Sequence, residues 1–385
     1  MGGDIRQAII LAAGEAQRLR PLTQRRPKGM LLVGGKPLLQ HLLETLKASG
    51  VTSAVLVVGA HSEKIQAFFK DGHDFGLRLT YAHQGKPTGT ADAVRHALPF
   101  IDRTKACLIL PGDNYLSSTS LVPLNRRTGD VLLLSTPKHG TRYGIPVLQG
   151  ERLKSIQYAD ITPGSARISS GVLRVTPELL AFFADDKKAG LHDLDQILDA
   201  YVQGGHAVSV ADVQGPWEDV NSPWDVLQLN EHILQGLENH AQNPPKANIV
   251  GPVHVGKNTF VAPTATLHGP VTIGDGCHIG DYSVIGPHVS IRNNTTVGSH
   301  CEIRRSILNN NVLVDSRALI RGSILDDGVN VGSGFVCHES NTREGLVGCV
   351  IGADSEIGPD CRCESGALVE AESRIPRATR IDAKG

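Results

Sequence analysis

The stretch AIILAAGEAQRLRPLTQRRPKGMLLVGGKPLL, residues 8–39, runs an apolar strand into Gly14 and then crowds Arg18, Arg20, Arg25, Arg26 and Lys28 into a short loop. Backbone N–H groups after a glycine turn, with cations close behind them, suit an anion such as a phosphate. Two carboxylates stand in comparable places farther on. Asp113 closes Leu110-Pro-Gly-Asp113-Asn114 at the end of an apolar strand, and Asp219 lies in Gly215-Pro-Trp217-Glu-Asp219-Val220 just before a capped helix. Two carboxylates plus substrate phosphates are what Mg²⁺ usually takes as ligands. Each aspartate alone is more often a turn or cap residue, and a basic loop is often merely solvated. Taken together they describe one site that binds an anion and a metal.

Such residues need a scaffold, and in open α/β sheets ligands gather beyond the carboxyl ends of the strands. Residues 1–230 alternate apolar strands with helical segments, the pattern of a layered α/β domain. Strands are expected near 7–12, 54–59, 77–83, 106–111, 130–136 and 206–212, and helices near 38–49, 63–70, 90–97, 177–184, 192–203 and from 223 onward. Pro37 and Gly50 bracket one helix, while Ser222-Pro223-Trp224-Asp225 supplies a cap, a first-turn proline and an acid for the last. That last helix is expected over 223–243. Pro244-Pro245 then ends it, which places the division between domains 1–245 and 246–385.

From residue 249 an aliphatic side chain returns every six positions: Ile249, Val255, Val261, Leu267, Ile273, Ile279, Ile285, Ile291, Val297 and Ile303. A small residue sits two places before many of them. A less regular register follows through Ile307, Leu313, Leu319, Leu325 and Val331, and a clean one resumes at Ile351. A period of six fits neither a helix nor a simple pleated strand. It fits a parallel β-helix whose coils have three flat sides, one hexapeptide to a side. The seven cysteines are odd in number and fall into this pattern: Cys277, Cys301, Cys349 and Cys361 in small-residue slots, Cys337 and Cys363 in aliphatic slots, and Cys107 in an apolar strand. Buried, inert thiols are expected, because Cys361-Arg-Cys363 has the wrong spacing for a zinc pair.

The 385 residues are 40% apolar and 20% charged, with a net charge of −1, so no global field draws the chain to nucleic acid or an anionic membrane. No apolar run approaches the roughly 20 residues of a membrane span. The N-terminal segment has too short an apolar core for a signal peptide, and the expected location is cytoplasmic.

In these motifs residues 7–235 resemble the sugar-1-phosphate nucleotidylyltransferases, whose signature reads L-A-A-G-x-G-x-R-L-x-P-L-T…P-K. Gln84 with Gly89-Thr90-Ala91 is similar to that family's base-recognition segment, and Tyr143-Gly144-Ile145 to its sugar-contacting turn. Asp113 and Trp217-x-Asp219-Val220 resemble its two metal-binding aspartate motifs. A hexapeptide coil behind such a domain resembles the bifunctional uridylyltransferase–acetyltransferases and archaeal sugar-nucleotide enzymes. The resemblance implies a Rossmann-like α/β domain followed by a left-handed parallel β-helix. It implies the reaction of a nucleoside triphosphate with a sugar 1-phosphate, giving a nucleoside diphosphate sugar and pyrophosphate. Arg18, Lys28, Asp113 and Asp219 would be the catalytic residues, the two aspartates holding Mg²⁺, and Ala13, Gly14, Gln84, Gly89, Thr90, Gly144 and Ser170 would bind substrates. Gln84 offers both a donor and an acceptor, which suits the imide edge of uracil or thymine and favours UTP or dTTP.

Three departures from the family pattern stand out. Ala16 replaces the second glycine of the signature. The family's Glu-Lys-Pro, which meets sugar hydroxyls and phosphate, reads Ser155-Ile-Gln157-Tyr158-Ala159-Asp160, with Arg142 or Arg167 as conceivable substitutes for the lysine. Where the acetyltransferases keep a histidine base this chain has Ser316, and His338 is the alternative histidine. The β-helix is therefore expected to assemble a homo-oligomer, a trimer or a multiple of one. Two other readings stand beside transferase activity: a bifunctional enzyme that also acetylates glucosamine 1-phosphate, and a non-catalytic regulatory or scaffolding subunit that binds sugar nucleotides.

Overall fold

A computed structural model describes residues 5–86, 88–137, 142–162, 164–238, 246–342 and 345–383. The chain forms two compact units, each gathered from separate pieces of sequence. The first comprises the residues up to Glu15, Pro27–Met30 and Leu38–Asp219; the second comprises Ala16–Arg26, Leu31–Pro37 and everything from Val220 on.

The first unit is built on nine strands: β1 Gln7–Ala12, β2 Ser53–Val58, β3 Arg78–His83, β4 Cys107–Pro111, β5 Asp130–Ser135, β6 Arg142–Gln149, β7 Arg152–Asp160, β8 Ile168–Val175 and β9 Val208–Asp212. Their order across the sheet is β3-β2-β1-β4-β8-β5-β9-β7-β6. The pairings from β3 to β4 are parallel, and β8 enters antiparallel between β4 and β5. The central parallel strands β1, β2 and β4 are apolar almost throughout because both of their faces are covered, whereas the edge strand β3 carries Arg78, Thr80 and His83. Ile9, Val55, Val57 and Ile109 pack with Val94 of helix α3 (Thr90–Ala97) and Ile197 of a later helix. Ala8, Ile10, Leu56 and Leu110 pack on the opposite face with Leu42 of α1 (Leu38–Ala48) and Ile65 of α2 (Ser62–Phe69).

All six expected strands are present. Strands β6, β7 and β8 and helix α4 (Ser118–Arg126) had no sequence expectation: Gly144, Pro146, Gly171 and Pro123 interrupt β6, β8 and α4, and β7, RLKSIQYAD, is mostly polar and exposed. Tyr143-Gly144-Ile145, expected as a turn, lies inside β6. Two further helices, α5 (Pro177–Phe183) and α6 (Leu194–Gln203), complete the unit.

In the second unit, helix α7 spans Pro223–Gln235 and stops at Gly236, short of the expected residue 243. Its start is as expected: Ser222 Oγ accepts from Asp225 N–H, and Asp225 Oδ2 accepts from the N–H groups of Ser222 and Asn221. The expected domain division at residue 245 lies outside the described residues. Beyond it, short strands stack into three parallel sheets, the three-sided coil of a left-handed β-helix. Coils repeat every 18 residues at first, Leu267 pairing with Ile285. The period then shortens to 17, Ile291 pairing with Leu308 and Ile303 with Ile320. One residue drops out after Ile303, so the inward column continues through Leu308, Val314 and Ile320, all buried, whereas Leu313 is exposed. This corrects the register expected through Ile307, Leu313 and Leu319. A hairpin, Ser340–Thr342 with Gly345–Val347, leaves the coil between Cys337 and Cys349, and Cys337 pairs with Cys363 in the next turn.

The basic loop also belongs to this unit. Arg26 bonds Asp326 at 2.5 Å and Asp327 at 2.7 Å, and Arg25 pairs with Asp354 and Glu372. Two of the loop's cations therefore anchor it to acids of the coil rather than to a phosphate. No helix among the described residues is long and apolar enough to cross a membrane.

Candidate active site

At the carboxyl ends of β1 and β4 the first unit encloses a cavity of about 420 Å³. Ala13, Gly14, Gln84, Gly89, Thr90, Asp113, Ser170 and Asp219 all line it. Sequence positions spread over more than two hundred residues thus come to one place. Asp113 follows β4, and Asp219 ends a short strand, Trp217–Asp219, that pairs antiparallel with Asn114–Leu116, setting Asp219 opposite Asn114. With the Asn114 amide nitrogen turned to the carboxylates, it donates to both Asp113 Oδ1 and Asp219 Oδ1 at 3.2 Å, and its oxygen accepts from the Trp217 indole. Lys28, on a 3₁₀ turn, closes the group, with Nζ 2.7 Å from Asp113 Oδ2 and 3.9 Å from Asp219 Oδ1. The Tyr143 hydroxyl donates to Asp219 Oδ2 at 3.2 Å.

The remaining expected residues fall as follows. Gly144, opposite Tyr158 in the β6–β7 ladder, packs against Asp195, whose carboxylate a Cβ there would strike. Gly89, the residue before α3, has φ 139°, and a Cβ on it would collide with the His192 carbonyl. Arg18 lies exposed on the 3₁₀ turn Gln17–Leu19, which groups with the second unit. Ala16 adopts the left-handed conformation (φ 47°, ψ 47°) for which the family's glycine is suited. Arg167 pairs with Asp212 at 3.1 Å and does not line the cavity; the Arg142 side chain lies outside the described residues. His338 is exposed beside a separate depression on the β-helix, with Ser365 Oγ donating to its carbonyl.

Gln84 differs in detail from its expected role. It is buried, and Nε2 already donates to Gly89 O (3.2 Å) and Asp92 Oδ2 (2.9 Å). Both amide hydrogens are committed, so only its oxygen remains to read a base.

Sequence reasoning missed one wall of the cavity. Asp193 caps α6 and Asp195 lies in its first turn, where the helix dipole favours acids. Both reach the lining, as do Tyr158 and Ser169. Asp195 Oδ1 accepts from the Ser169 hydroxyl at 2.7 Å. Burial pushes the Asp195 carboxyl above the ordinary aspartate range, against the hydrogen bonds of Ser169 and Tyr158 that draw it down. The only sequence signal was two acids at a helix start, a feature common to many surface helices.

Four aspartates and no lysine or arginine stand among the described lining residues. Phosphates would meet repulsion from these acids, which Lys28 behind Asp113 offsets only in part. The oxygen-only pair Asp113 and Asp219 matches what a hard divalent ion takes as ligands.

The model described as nucleotidyl transferase matches residues 7–236, and the one described as GMPPB C-terminal domain matches residues 267–359. A glucose-1-phosphate thymidylyltransferase of Streptomyces antibioticus is 27% identical over 285 residues, 71% of this chain and 80% of that protein. The bifunctional protein GlmU of Methanocaldococcus jannaschii is 28% identical over 246 residues, 63% of this chain and 58% of that one, so the match spans little more than half its length. A Bacillus anthracis structure, provisionally described as a glucose-1-phosphate thymidylyltransferase in complex with a sucrose, shares the fold. It matches with a TM-score of 0.54 and 24% identity, over 62% of this chain and 98% of that one. The strand-end cavity, its paired aspartates and the match over residues 7–236 agree, and the chain belongs to the nucleotidyl transferase family.

Proposed function

We propose that this chain is a sugar-1-phosphate nucleotidylyltransferase that uses UTP or dTTP. The observation that carries the reading is that Asp113 and Asp219 line the cavity together, with Lys28 Nζ held against both carboxylates behind that lining. In this reading residues 1–245 do the chemistry. A phosphate oxygen of the sugar 1-phosphate bonds to the α-phosphorus while the bond from that phosphorus to the departing pyrophosphate breaks. Atoms and charge balance without a protein nucleophile, so catalysis consists of positioning and charge neutralisation. Lys28 neutralises the α-phosphate as charge builds there. Asp113 and Asp219 hold Mg²⁺, which when bound supplies positive charge to phosphates that the acidic lining would otherwise repel. Gln84 Oε1 accepts the imide N–H of the pyrimidine.

The missing Glu-Lys-Pro is answered on the hydroxyl side by Asp195. Its carboxylate beside Gly144 and Tyr158 can accept from sugar hydroxyls, the task of the family's glutamate. Residues 246–385 assemble copies of the chain, and sedimentation of the full protein would read that oligomer. The test of the reaction is pyrophosphate release with each of four nucleoside triphosphates and a panel of sugar 1-phosphates. Release that needs UTP or dTTP, a sugar 1-phosphate and Mg²⁺ together is the expected result. No release with any pair would leave only the non-catalytic subunit.

A further inference from the structure

The seven cysteines divide into two kinds. Cys107, Cys277, Cys301 and Cys361 each place the sulfur within 3.2 Å of a backbone carbonyl: Leu108 O at 3.2 Å, Arg292 O at 2.9 Å, Asp315 O at 3.2 Å and Pro376 O at 3.0 Å. These are small apolar residues with their one weak donor used. Cys337, Cys349 and Cys363 are different. Their three sulfurs lie within 4.8 Å of one another, all buried inside the β-helix. The Cys337 sulfur lies 3.8 Å from His338 O.

We propose that Cys337, Cys349 and Cys363 form a thiolate site for a soft divalent metal ion of the zinc class. A metal–sulfur bond of about 2.3 Å sets the sulfurs of a zinc centre roughly 4 Å apart, so the observed spacing needs a contraction of less than about 1 Å. Ser323 Oγ borders the group, 3.5 Å from the Cys337 sulfur and 3.6 Å from that of Cys349, but it donates to Arg321 O at 2.8 Å and accepts from Cys349 N–H at 3.0 Å, so the three thiolates are the protein ligands. Cys363 also lines a surface depression of about 540 Å³ with His338, Arg362, Glu364 and Arg380, which gives an ion a way in. The site has a structural purpose. Cys337 precedes the hairpin excursion and Cys349 follows it, so one ion would fasten both feet of that loop to the next coil through Cys363.

The test uses the full-length protein, reduced and freed of metal by a chelator, and titrated with Zn²⁺ and with Cd²⁺ as a spectroscopic probe. One ion bound per chain, a sulfur-to-cadmium charge-transfer band and a rise in Tm with metal are expected. Binding should vanish in a Cys337→Val/Cys349→Ala/Cys363→Val variant. Its replacements match the coil, since Ala265, Ala318 and Ala367 fill the slot of Cys349 and Val297 and Val331 that of the other two, so it should fold and unfold like the metal-free protein. Cys301→Ala and Cys361→Ala should bind as the parent does. Absence of a stoichiometric ion, equal binding by the triple variant, or a Cys337–Cys363 disulfide that persists under reductant would each overturn the proposal.

Discussion

Arg26 and Lys28 stand two residues apart, and each meets two carboxylates. Around Arg26, in the second unit, the side chains of the cation and of Asp326 are 8% and 2% exposed, and Asn309 Nδ2 donates to the same carboxylate oxygen that Arg26 holds. The second partner, Asp327, is 39% exposed, so the seal belongs to the Arg26–Asp326 pair alone. Burial pushes the Asp326 carboxyl up, and Arg26 pulls it back. Around Lys28, in the first unit, the cation is 10% exposed but its partners are open: Asp113 is 38% exposed and Asp219 20%. A sealed ion pair has nothing to exchange with and holds a loop in place. An open one can trade partners, releasing its carboxylates to a metal and its ammonium to a phosphate. The difference between structure and chemistry here is access to solvent, since the charges are alike.

The comparison breaks most sharply at Arg26. Replacing it with alanine leaves Asp326 buried without its cation, and should cost about 3–5 kcal/mol of stability, read by denaturant unfolding. Adding Asp326→Leu should recover most of that loss; if it does not, the pair is more than an anchor. Asp113→Asn should do the reverse, lowering kcat/KM about 10²–10³-fold while the unfolding midpoint stays near that of the parent. Equal destabilisation by both variants would erase the distinction.

Asp195→Asn should raise KM for the sugar 1-phosphate about ten- to a hundredfold, with little effect on KM for the nucleotide. Its pH dependence has a defined sign. A carboxyl raised by folding contributes stability at low pH and loses it as pH rises through the folded value. Between the ordinary aspartate range and that raised value the parent should lose stability relative to Asp195→Asn, while its affinity for the sugar improves as the acceptor ionises. Parallel profiles for parent and variant would remove Asp195 from the site. The smallest effect belongs to Ala16→Gly. Relief of the left-handed strain, worth roughly 1–2 kcal/mol, is largely offset by the entropy of glycine, so a gain of under about 1 kcal/mol is expected in the unfolding midpoint.

Much of this was legible in residue order. The hexapeptide column revealed the coil because every aliphatic in it must face one narrow interior, and the apolar runs of β1, β2 and β4 revealed a sheet covered on both sides. Asp113 and Asp219 could be named from the motifs around them, and the capped start of α7 from Ser222-Pro223. Other features were hidden. The five-residue step after Ile303 shifts the coil by one position without changing its composition, so Leu313 and Val314 exchange faces unannounced. Asp195 reads as an ordinary first-turn acid until β6 and β7 bring Gly144 and Tyr158 to it.

Local sequence thus determined six of the nine sheet strands, the capped start of α7 and the hexapeptide coil, because periodicity and capping act between neighbours a few residues apart. It left β6, β7, β8 and α4 unmarked. It also supplied the loop's cations without assigning them partners. Only the tertiary structure decided that Arg26 serves the coil and Lys28 the cavity, and that three of seven cysteines meet. Charges and thiols act through distance and burial. Both are set by how coils stack and strands pair, over separations that no spacing along the chain records.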